Sequence, residues 1–228
     1  MDRIDLTELE AGNVTLEELY RTMAKEMGPQ PWLKPGTPWA ETPVEIMLGA
    51  ILVQNTNWRN VEPSLIALKA QTGFNPAKLR EYTPDTLIPV IRSSGFYQRK
   101  SEAILALATW LGEANDDLAA LKRRGGASLR EELLSITGIG NETADYILMY
   151  TLDHGTFMVD TYARRLFGWL GATMPKTYPA FQKKVMGQLA FALADYQEFH
   201  ALIDEFGKQI KNDTDFAQSF LAGKQLTI

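Results

Sequence analysis

Apolar residues recur three and four positions apart along almost the whole chain, and no run alternates with period two far enough to make a useful strand. The pattern predicts an all-α protein. Thr15-Leu16-Glu17-Glu18 opens a first helix as a capping box, and Met27-Gly28-Pro29 closes it; Thr42-Pro43-Val44-Glu45 opens a second, with proline at the first helical position. That second helix, Ile46 to Val53, is apolar on every face and is therefore read as buried. Further helices are predicted over Val61–Thr72, Pro76–Tyr82, Pro84–Ser93, Ser101–Glu113 and Ser128–Ile136, the last capped at Ser128. Beyond residue 160 the pattern gives Tyr162–Leu170, a turn over Gly171–Lys176, then Tyr178–Ala194 and Tyr196–Lys211, about ten helices in all. Repeats, low-complexity tracts and flexible linkers are missing.

One junction between helices departs from ordinary turn chemistry. In Leu133-Leu134-Ser135-Ile136-Thr137-Gly138-Ile139-Gly140-Asn141-Glu142-Thr143-Ala144-Asp145, two glycines flank Ile139. A hairpin this tight leaves backbone N–H groups able to face an anion, and the dipole of a helix starting near Asn141 adds to the same attraction. The unit reads as a helix-hairpin-helix clasp for a nucleic-acid backbone, with Gly138, Ile139, Gly140 and Thr143 as its DNA-binding positions. Met158-Val159-Asp160-Thr161 follows the second helix.

Hairpin plus Val-Asp resembles the helix-hairpin-helix DNA glycosylases related to endonuclease III. The resemblance implies a two-lobed helical fold with a DNA cleft between lobes. One lobe would be a barrel over 42–152, including the hairpin at about 128–152; residues 1–41 and 153–228 would form the other. It assigns catalysis to Asp160. Many members carry a lysine two residues after the second glycine, which attacks the sugar and permits strand nicking; this chain has Glu142 there. Endonuclease III closes its C-terminus with a cysteine-ligated cluster, and this chain has no cysteine, so no iron–sulfur cluster is expected. Leu48-Gly49-Ala50, Gln54-Asn55-Thr56 and Ser94-Gly95-Phe96-Tyr97 look closest to the cluster-free bacterial 3-methyladenine glycosylases. The resemblance further implies Gln54 as the plug that fills the gap left by a flipped nucleotide, and Phe96 as a wedge. It also implies a monovalent cation on hairpin carbonyls near Ile136 and Ile139. From the residues alone, Gln54 reads first as part of a capping cluster, and Phe96 equally as ordinary core.

Trp32 and Trp39 share a stretch too broken by proline and glycine for helix, a loop packed by its rings. Either they fill a seam, or one stacks on a flipped base; a cationic N-alkylpurine would then gain a cation–π attraction of ~0.5–2 kcal/mol. With Glu142 and Lys208 they make up the candidate substrate pocket. Asp145 and Glu142 otherwise read as surface acids. His200 reads as a structural histidine, and with His154 46 residues away and no cysteine a zinc site is not expected.

Composition, 45% hydrophobic and 22% charged, suits a compact globule, and neither a secretory leader nor a membrane-spanning run is visible. A cytoplasmic bacterial monomer is expected. The net charge of −5 opposes DNA binding, but residues 1–62 hold 10 acidic and 5 basic side chains, leaving 18 of each in the rest. Within that balanced part Arg99-Lys100, Lys122-Arg123-Arg124, Arg164-Arg165 and Lys183-Lys184 are basic clusters; each reads equally as a solvated face, and only Arg99-Lys100 gains from its neighbours. The sequence thus points to a monofunctional glycosylase for alkylated purines in damaged double-stranded DNA. Another lesion specificity, or a catalytically silent DNA-binding module, are the alternatives.

Overall fold

A computed structural model describes residues 12–32, 34–37 and 40–228. Trp39 lies outside the described residues. Among these, thirteen α-helices carry the fold: α1 Leu16–Met27, α2 Pro43–Leu52, α3 Trp58–Thr72, α4 Pro76–Leu79, α5 Pro84–Ile91, α6 Tyr97–Glu113, α7 Leu118–Lys122, α8 Gly126–Ser135, α9 Asn141–Thr151, α10 Thr161–Trp169, α11 Tyr178–Met186, α12 Leu193–Gln209 and α13 Asp213–Ala217. The chain divides into two compact units, Pro31–Thr156 and Met1–Gln30 with Phe157–Ile228. The described residues between 31 and 41 therefore belong with the central unit and not with the termini.

The expected caps are in place. Thr15 and Glu18 form the capping box of α1, and Thr42 caps α2 with Pro43 in its first turn. Some starts lie elsewhere, because a capping side chain rather than the apolar period decides where a helix begins. Asn57 caps α3, which starts at Trp58, three residues ahead of Val61. Gly125, not Ser128, precedes α8, and the short α7 and α13 are opened by Asp117 and Asn212. Gly187 ends α11 early, and α12 restarts at Leu193 with the Asp195 carboxylate accepting the Ala192 N–H at 2.9 Å.

In the central unit α2 is enclosed by α3, α6 and α9, and eight of its ten residues are buried. Met47, Leu48, Ile51 and Leu52 join Leu68, Ile104, Leu107, Leu133, Ile147 and Leu148 in one apolar core. Each such fully buried side chain contributes about 1.5–3 kcal/mol. The terminal unit is organised by rings: Phe157 lies among Phe167, Phe181 and Phe199. Here α10 packs on α12 at Gly207, where a Cβ would come within 2.3 Å of the Tyr162 ring. That close approach brings the start of α10 to the α12 face bearing His200 and Asp204. Two-residue strands, β1 Asn13–Val14 and β2 Gln225–Leu226, pair in parallel and tie the ends of this unit together.

Candidate active site

Asp160 is the N-cap of α10. Its Oδ1 accepts the Ala163 N–H at 2.7 Å, which satisfies a backbone donor the helix cannot, and the carboxylate gains from the helix dipole. Oδ2 lies 3.5 Å from His200 Nε2, and the residue is 8% exposed. His200, Asp204 and Lys208 are spaced four apart and so share one face of α12. Lys208 pairs with Asp204 and with Glu205. Burial pushes the Asp204 carboxyl up, Lys208 and His200 pull it back, and the charge of Asp160 raises it again. Burial works against the Lys208 ammonium too, but its two carboxylate partners outweigh that and raise its pKa. Lys208 is thus held as an ion-pair partner of two carboxylates. His200, read from sequence as merely structural, faces the candidate catalytic carboxylate.

The hairpin belongs to the central unit. Gly138 sits at φ +86, and a Cβ there would come 2.7 Å from the Ala103 Cβ, so both backbone and packing require glycine. Gly140 is different: its backbone is extended, and an added Cβ would meet open space. At Gly140, then, only an approaching ligand could require the missing side chain. Ile139 is buried in the core. Asp145, expected on the surface, is fully buried and bonded by Arg130 at 2.7 and 3.1 Å, while Arg130 also donates to Asn141 at 2.9 Å. This pair joins α8 to α9 across the hairpin. Breaking such a pair by removing one partner typically costs about 3–5 kcal/mol.

Gln54 is brought to the hairpin, its amide donating to Gly138 O at 3.0 Å and to Thr143 Oγ1 at 2.9 Å. Thr143 itself is buried. Phe96 is not core. It stands 64% exposed in the left-handed region at φ 47, just before α6. Glu142 is exposed in the first turn of α9. Trp32 packs against Tyr150 and Tyr146, ring centroids 5.7 and 6.4 Å apart.

The sequence pattern of the HhH-GPD superfamily of base excision DNA repair proteins matches residues 48–191, a span holding both the hairpin and Asp160. The chain belongs to that superfamily. A candidate DNA repair glycosylase of Methanocaldococcus jannaschii is 37% identical over 196 residues, 84% of this chain and 86% of its own length. Endonuclease III of Thermotoga maritima is 26% identical over 176 residues, 75% of each chain. Among solved structures, the 3-methyladenine DNA glycosylase of H. pylori bound to 1,N6-ethenoadenine matches with a TM-score of 0.71 at 27% identity, covering 84% of this chain and 96% of that one.

As an HhH-GPD DNA glycosylase, the protein meets DNA with fewer free cations than its sequence suggests. Lys122 pairs with Asp153, Arg124 with Glu132, and Arg165 donates to the Gly207 and Ile210 carbonyls. Lys184 bonds the Thr173 carbonyl. Lys100 is buried, so of the Arg99-Lys100 cluster only Arg99 is exposed. Among the described residues no helix is long and apolar enough to cross a membrane.

Proposed function

We propose that this glycosylase is monofunctional and releases alkylated purines of the 3-methyladenine type, leaving an abasic site. The observation that carries the reading is the pairing of an anchored carboxylate at Asp160 with the absence of an available amine at the two positions considered: Glu142 is a carboxylate, and Lys208 is held protonated by Asp204 and Glu205. The likeness to the H. pylori enzyme supports the lesion class. An N-alkylated purine already carries positive charge, so it leaves with the C1′–N bonding pair without being protonated. Asp160 Oδ2 stabilises the oxocarbenium-like sugar and orients the water that adds to C1′, which then loses its proton. Phe96 enters the duplex as the wedge, and Gln54 exchanges its hairpin bonds to fill the gap left by the flipped nucleotide.

The hairpin N–H groups and the start of α9 hold a backbone phosphate. Ile136 O accepts the Ile139 N–H at 3.1 Å and keeps a second lone pair; with the Ile139 carbonyl it offers neutral oxygen donors that fit a hard monovalent cation. Bound there, such an ion would supply positive charge behind the phosphate site.

The reading is tested on an alkylated duplex by following the strand before and after alkali. Base should be released with the strand intact until alkali is added. A borohydride-trapped protein–DNA adduct would overturn the monofunctional reading. A second expectation concerns Trp32. Replacing it with Leu keeps apolar bulk, so cationic lesions should slow by about 3–10-fold while hypoxanthine and uracil change less. Equal slowing of cationic and neutral lesions would remove stacking on a charged base from the account.

A further inference from the structure

The buried lysine of the central unit has no part in the hairpin, and its surroundings give it another task. Lys100 is 2% exposed, in the first turn of α6, on the face that also carries Ala103, Ile104 and Leu107. Its Nζ donates to the carbonyl of Leu52 at 2.8 Å and to that of Ser94 at 2.6 Å. Leu52 is the last residue of α2, and Ser94 the last of the 3₁₀ turn Arg92–Ser94; both carbonyls lie where a helix end leaves acceptors unsatisfied. Each is two residues ahead of a residue proposed to enter the duplex, Gln54 in one case and Phe96 in the other. The ammonium also sits 5.9 Å from the Phe96 ring centroid.

Both loops hold a non-glycine residue in the left-handed region, Asn55 at φ 53 and Phe96 at φ 47. Such backbone persists only where the surroundings over-determine it, and for phenylalanine the conformation is a genuine outlier. One cation bonded to the root of both loops provides that constraint. Burial lowers the pKa of the ammonium, but hydrogen bonds to two helix-end carbonyls are what a buried cation needs to remain in place.

We propose that Lys100 is a positioning residue that clamps the Gln54 loop and the Phe96 loop to each other, so that wedge and plug enter the duplex as one rigid unit. The inference rests on the assignment of Gln54 and Phe96 as the inserting residues. It predicts a loss specific to opening the duplex, since the carboxylate that acts on the sugar is in the other unit.

The test compares wild type, Lys100→Met, Phe96→Ala and the double variant in single-turnover base release. The lesion is whichever wild type removes fastest, presented in a fully paired duplex and, separately, in a single strand. Methionine keeps the apolar stem and length but has no donors. If Lys100→Met does not fold, Lys100→Gln, which retains N–H donors on a shorter stem, replaces it throughout. Lys100→Met should lose about ten-fold or more on the paired duplex and less than about three-fold on the single strand. The double variant should lose less than the product of the two single losses, because both act on the same insertion. Equal losses on both substrates, multiplicative losses in the double variant, or an unchanged Lys100→Met enzyme would overturn the clamp. If Phe96→Ala itself loses nothing on paired DNA, the insertion reading fails, and the clamp with it. If Phe96→Ala loses activity and Lys100→Met does not, the clamp alone fails.

Discussion

Asp160→Asn is expected to fold and bind DNA as wild type does while releasing base at least about 100-fold more slowly, a barrier increase of about 2.7 kcal/mol. The substitution separates two roles of one side chain. As the N-cap of α10, Asp160 uses Oδ1 to accept the Ala163 N–H, and asparagine is an equally good cap, so that bond survives. Only the favourable meeting of negative charge with the helix dipole is lost, a matter of about 0.3–1 kcal/mol of stability. The oxygen turned toward His200 loses its charge altogether, and with it the means of stabilising a cationic sugar. Single-turnover kinetics beside a melting curve check this. Turnover within a few-fold of wild type would remove Asp160 from the chemistry.

The same substitution placed at the two hairpin glycines is expected to give opposite results. Gly138→Val forces a β-branched residue into the left-handed region and into the Ala103 methyl, and should cost about 2–4 kcal/mol of stability. Gly140→Val meets neither obstacle. Its extended backbone suits valine, and the Cβ projects into open space, so stability should fall by no more than about 1 kcal/mol. Affinity should nevertheless drop at least about ten-fold, near 1.4 kcal/mol, for damaged and undamaged duplex alike, because the lost approach is to phosphate and not to a base. Fluorescence anisotropy on both duplexes reads the effect. Unchanged binding by Gly140→Val would make the hairpin a structural turn and nothing more.

Much of this was legible in the sequence because local chemistry controls it. Thr15 with Glu18 and Thr42 with Pro43 mark helix starts by the bonds a cap must make, and α2 declares its burial by having no polar face. Asp160 is proposed from its place after the hairpin, and the structure puts it at the start of α10. What sequence reading missed depends on direction. Lys100 stands at the spacing of Ala103, Ile104 and Leu107, the inward face of α6, yet adjacency to Arg99 made it look like half of a surface patch. His200, Asp204 and Lys208 announce a shared helix face by their four-residue spacing, but Asp160 reaches that face only through the packing of α10 at Gly207. Asp145 looked like a surface acid because its partner, Arg130, is 15 positions away on the preceding helix.

If Asp160 acts on a base that leaves because it is alkylated, the lesion preference of the wild-type enzyme must show it. Single-turnover base release should be measured side by side on 3-methyladenine, 7-methylguanine, hypoxanthine, uracil and an oxidised purine in one duplex sequence. An alkylated purine should be released fastest, with uracil and the oxidised base slower by about ten-fold or more. Release of uracil or the oxidised base ahead of every alkylated purine would rule out alkylated purines as the substrate class.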